Sequence, residues 1–66
     1  MNKFAGMTMN ERLYTAGIAD KFDAAVRRKD KTVLMELLAQ IEIPARQSQE
    51  TIDLIFGNPA KYGYED

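Results

Sequence analysis

The 66-residue chain has no cysteine, no histidine and no tryptophan, and only two prolines and four glycines. Without cysteine it can form no disulfide and offers no thiolate ligand. Without histidine it lacks the side chain that most often serves as a general base near neutral pH and as a nitrogen ligand. Cys–His and Ser–His nucleophilic arrangements are therefore excluded, and neither Ser48 nor any threonine has an imidazole to activate it. Carboxylates and carbonyls remain, which suit calcium or magnesium, but no acidic loop has calcium-binding spacing. The four glycines are scattered, so no phosphate-cradling glycine loop is present. This inventory predicts a protein that is not an enzyme, with no cofactor, no metal and no small-molecule substrate.

Long apolar runs are missing too. None approaches the roughly 20 residues that a membrane-spanning helix needs. The opening MNKFAGMTMNERL has a lysine but no apolar stretch of signal-peptide type. Together these readings predict a cytoplasmic protein that does not engage a membrane. No internal repeat, low-complexity stretch or strand-like alternation appears.

What is present is an ordinary globular balance: 45% hydrophobic and 29% charged residues, with a net charge of −1. Sixty-six residues make one domain at most, and a chain this short buries only about 60% of its unfolded surface. Self-association is one way to supplement so small a core. The charge is unevenly placed. Residues 1–31 carry seven Lys/Arg against four Asp/Glu, +3, whereas residues 32–66 carry two against six, −4.

The pattern is helical from residue 8 onward. Thr8-Met9-Asn10-Glu11 has the spacing of a capping box, and a helix over 9–16 follows. On a single helix running through Gly17, Leu13 would lie opposite Phe22. A break at Gly17 is therefore expected, with a left-handed cap and Ile18 folded back on the last turn. A second helix over 19–29 starts with Asp20 and Asp23, read as helix-start and solvated acids. Asp30 caps a third helix over 31–42, whose Val33, Leu34, Leu37, Leu38 and Ile41 fill one apolar arc. Pro44 opens a fourth over 44–56, with Ala45, Ser48, Ile52, Ile55 and Phe56 inward, Gly57 as its cap and Asn58-Pro59 as its stop. The predicted fold is all-α: a compact three- to four-helix bundle over residues 8–66, with residues 1–7 a flexible N-terminus and a tyrosine-containing C-terminal tail packed back on the bundle.

Two apolar residues stand off these stripes, Met35 and Leu54. With Tyr62 and Tyr64 of the tail they are the candidate partner contact, since tyrosine is enriched at interaction hot spots. Pro59 and Gly63 redirect the tail so that Tyr62 is expected to pack and Tyr64 to be more exposed. The cluster Arg27, Arg28, Lys29 and Lys31 complements a helix C-terminus and is the candidate anion contact.

Residues 37–56 also have a helix-break-helix outline, with Arg46, Gln47 and Gln49 able to read base edges. The break has no glycine, Glu50 and Asp53 oppose the single arginine, and the basic cluster lies on another helix. The expected function is therefore a small non-catalytic protein-interaction or regulatory module, with a protein partner or a second copy in a homodimer. DNA binding by a helix-turn-helix is the alternative, and the composition argues against nucleic acid.

Overall fold

A computed structural model describes residues 4–64. Four α-helices follow one another: α1 (Met9–Ala16), α2 (Ala19–Arg28), α3 (Lys31–Gln40) and α4 (Ala45–Gly57). A short 3-10 turn, Pro59–Tyr62, then leads into Gly63 and Tyr64. The described residues contain no strand. The protein is thus the expected small all-α bundle with its tail folded back.

Each helix begins and ends for a local reason. Thr8 and Glu11 form the capping box: the Glu11 N–H donates to Thr8 Oγ1 at 3.2 Å, and the Thr8 N–H donates to Glu11 Oε1 at 2.9 Å. The Thr8 backbone N–H, and then its hydroxyl, hold the Glu11 carboxyl below its usual range. That contribution is present above the ordinary carboxylate range and fades as pH falls through the lowered value. Gly17 takes the left-handed conformation at φ 74°, and the Ile18 N–H donates back to the Leu13 carbonyl at 3.0 Å. The return buries Ile18 beside Leu13, where a continuous helix would have placed them on different faces.

The same six-to-one hydrogen bond recurs three times. Asp30 donates to Ala25, Ile43 to Leu38, and Tyr64 to Pro59, each from its backbone N–H. The left-handed residue in these motifs is Lys29, Glu42 and Gly63 in turn. Two of these motifs correct expected boundaries, and α4 differs from expectation at both ends. Helix α2 ends at Arg28 because Lys29 is the left-handed cap, and α3 ends at Gln40 because Glu42 has φ 65°. Gly57 is the last residue of α4 rather than its left-handed cap, and Asn58 ends the helix with extended φ −152°. Pro44 lies just outside α4, as its N-cap.

Packing runs between neighbours in sequence: α1 on α2, α2 on α3, α3 on α4 and the tail turn on α4. Helix α3 is central, and its Leu34 and Leu38, with Ile41 just beyond it, are fully buried together with Ile52 of α4. Ser48, the buried polar residue of the core, donates its hydroxyl to the Ile43 carbonyl at 3.3 Å. Because α3 is covered on both flanks, Met35 is half-buried against the core despite lying off its helix's stripe. Ala45, expected inside, is exposed.

The packed unit begins earlier than Thr8. Phe4 is 2% exposed and belongs to the core, in a turn closed by the Met7 N–H to the Phe4 carbonyl. Arg12 secures this turn: its guanidinium lies 5.9 Å from the centre of the Phe4 ring and donates to the Met7 and Ile41 carbonyls at 3.3 and 3.1 Å. Of the expected N-terminal segment, residues 1–3 lie outside the described residues.

Candidate interaction groove between α1, α4 and the tail

Sequential packing leaves α1 and α4 without extensive direct contact. Between them lies an open groove of about 510 Å³. Its floor is apolar: Leu13 from α1, Phe22 from α2 and Ile55 from α4, each also part of the core. Its rim is polar but mostly uncharged, with Thr8 and Asn10 at the start of α1 and Thr51 on α4. Tyr62 and Tyr64 close the tail side, and among the described residues Lys61 supplies the one ionised side chain of the lining. An apolar floor with a few polar groups at the edge suits a guest that buries a hydrophobic side chain.

Gly63 determines which tyrosine packs. At φ 88° it turns the chain so that the Tyr64 N–H reaches the Pro59 carbonyl at 3.0 Å. Tyr64 is thereby folded onto the core, half-buried, while Tyr62 remains on the rim at 41% exposure. The expected order, Tyr62 packed and Tyr64 exposed, is reversed. Tyr64 occupies the position after a left-handed cap, where a hydrophobic residue typically folds back on the preceding turn.

The Tyr64 hydroxyl donates to Asp23 Oδ1 of α2 at 2.7 Å, and the Arg27 guanidinium sits 5.8 Å from the centre of its ring. Burial, and then this hydrogen bond to a carboxylate, push the Tyr64 phenol well above its ordinary value. The tail is thus latched to α2 through Asp23 and Arg27. Lys61 makes its own ring contact, its ammonium 5.8 Å from the centre of Tyr62.

The four candidate partner residues separate into three environments. Tyr62 and Tyr64 share the groove. Leu54, 62% exposed, lies outside it in a shallow hollow with Glu50 and Asp53. Met35 packs on the core, lines neither depression and so does not join the single patch that the sequence suggested. The basic cluster is likewise divided. Arg27 faces Tyr64, Arg28 lies 3.7 Å from Asp30, Lys29 is the α2 cap, and Lys31 lies 3.6 Å from Asp53. The Lys31–Asp53 contact puts Lys31 toward the C-terminal half of α4. Arg46, Gln47 and Gln49 are exposed about two turns away toward its N-terminal end, with Glu50 and Asp53 between them and Lys31.

Several residues of this region went unremarked in the sequence. Asp23 read as a solvated helix acid, and neither Lys61 nor Thr51 was given a role. Only the i, i+4 spacing of Thr51 and Ile55 hinted at a shared wall. Among the described residues no group of acids could hold a metal ion, and no helix is long and apolar enough to cross a membrane. No family model matches the chain, and neither a curated protein nor a solved structure is significantly similar to it.

Proposed function

We propose that this chain is a small non-catalytic protein-interaction module that receives an apolar side chain of a protein partner in the groove between α1, α4 and the tail. The observation that carries this reading is the groove itself: a solvent-open depression over the buried Leu13, Phe22 and Ile55, rimmed by hydroxyls, an amide and two tyrosines. A tyrosine at a rim, here Tyr62, gives large contact area at a small entropic cost and can leave its hydroxyl wet, which favours association with another protein. A cytoplasmic location belongs to the same reading, and a chain without cysteine is compatible with a reducing compartment.

Thr51→Trp tests the reading by filling the groove from the α4 wall. Tagged wild-type and Thr51→Trp chains are compared by affinity capture from the native cell, with thermal unfolding followed by circular dichroism as the folding control. The expected result is loss of the captured protein with an unchanged unfolding midpoint. Equal capture by both chains would overturn the reading.

A further inference from the structure

On the reading of the groove as a protein-binding site, we infer that its occupant is a second copy of this chain, docked so that each copy inserts Leu54 into the groove of the other. The first observation is that knob and groove are neighbours on one helix. At about 100° per residue, Leu54 lies about 60° around α4 from Thr51, a groove-wall residue, while Asp53 lies about 160° from Thr51, on the far side of Leu54. A surface carrying a projection beside a matching depression is self-complementary under a two-fold axis, which closes as a dimer.

The second observation is charge. Among the described residues, Asp53 is tied to Lys31 at 3.6 Å, whereas Glu50 has no ion pair. Lys61 likewise has no ion pair there and rests on the Tyr62 ring. Each copy therefore offers an unpaired carboxylate one turn before the knob and an unpaired ammonium at the groove.

The geometry joins the two observations. A two-fold axis across α4 at the level of Asp53 makes the two α4 helices antiparallel. Residue 54 of one copy then lies level with residue 52 of the other, between the groove-wall residues Thr51 and Ile55. Residue 50 lies level with residue 56, at the end of α4 from which the tail carries Lys61. Leu54 in the groove and Glu50 on Lys61 are thus satisfied by one operator, and each contact occurs twice.

Sedimentation equilibrium of the full chain from about 1 µM to about 1 mM tests the inference, the upper range covering the weak association expected of a small interface. The wild-type chain is expected to dimerise. Leu54→Asp should be monomeric throughout, with its circular dichroism unchanged because the side chain is exposed. Lys61→Glu and Glu50→Lys should each weaken the dimer by about tenfold, because symmetry applies every change twice. The double variant Glu50→Lys/Lys61→Glu should recover most of that loss. A monomeric wild type, a Leu54→Asp chain that dimerises as well as wild type, or a double variant no tighter than the singles would each overturn the inference. A monomeric chain that still captures a different protein, and loses it with Thr51→Trp, overturns the self-partner while leaving the groove's role standing.

Discussion

The two sides of the bundle are closed by different means. Around α3 and α4, Leu34, Leu38, Ile41 and Ile52 are fully buried, and the Ser48 hydroxyl is satisfied by the Ile43 carbonyl. On the α1 side, Leu13, Phe22 and Ile55 are buried yet form the floor of an open groove. The tail beside that groove is tied to α2 through one side-chain hydrogen bond, Tyr64 to Asp23, and a stacked arginine. The contrast locates the fully buried core in the α3–α4 half and the proposed recognition surface in the α1–tail half. Surface that must receive a partner cannot also be filled by the chain's own side chains, and binding regions are commonly drawn from the less stable parts of a fold.

The sharpest way to break this comparison is to delete the same kind of group on each side. Ile52→Ala removes a fully buried side chain and should cost about 2–5 kcal/mol, measured by urea unfolding. Leu13→Ala should cost less, near the lower end of that ~2–5 kcal/mol range, because its cavity adjoins the groove and can be filled by water or by movement of the tail. Equal losses would show that the groove side is packed as firmly as the other.

A smaller effect concerns the joint that aims α1 at the groove. A Cβ at position 17 would meet nothing within 4 Å, so Gly17→Ala tests backbone conformation alone. With φ at 74°, the substitution should destabilise by about 1–2 kcal/mol, the usual penalty for an L-residue in the left-handed region. A neutral result in the same urea assay would mean that the break at Gly17 does not depend on the glycine.

The smallest effect tests the latch. Tyr64→Phe should cost about 0.5–1.5 kcal/mol at neutral pH, at the lower end because Asp23 is exposed and stays hydrated without its partner. It should also change the response to alkali. The folded-state phenol is raised, so the folded protein holds that proton more tightly than the unfolded chain. Its stabilisation is complete below the ordinary tyrosine value of about 10 and is lost as pH rises above it. Unfolding midpoints compared at about pH 8 and about pH 11 should therefore fall more steeply for wild type than for Tyr64→Phe. Parallel slopes would remove Tyr64 from the latch.

Much of the fold was legible because its signals are local. Thr8 and Glu11, Gly17 and Ile18, and Asp30 each act within a few residues, and the stripe of Leu34, Leu37, Leu38 and Ile41 follows from helical spacing. The misread ends at Lys29 and Glu42 have the converse explanation. Non-glycine residues adopt left-handed angles there because the returning six-to-one hydrogen bond holds them, and residue type gives no warning. The candidate site was less legible. Tyr62 and Tyr64 stood out by composition, but Asp23, Thr51 and Lys61 join them only across distances the sequence does not encode locally.

The amino-acid sequence by itself determined an all-α chain of three to four short helices, the neighbourhoods in which they break, and the absence of histidine and cysteine chemistry. Helix periodicity and capping are one-dimensional patterns, and inventories need no geometry. Only the tertiary structure decided that Phe4 joins the core, that the central position of α3 covers Met35, and that Tyr64 rather than Tyr62 is folded inward. It alone decided that α1 and α4 stop short of each other and leave a groove beside an exposed Leu54. Those outcomes depend on which helix flanks meet, and that is fixed by packing every element at once rather than by the periodicity of any one of them.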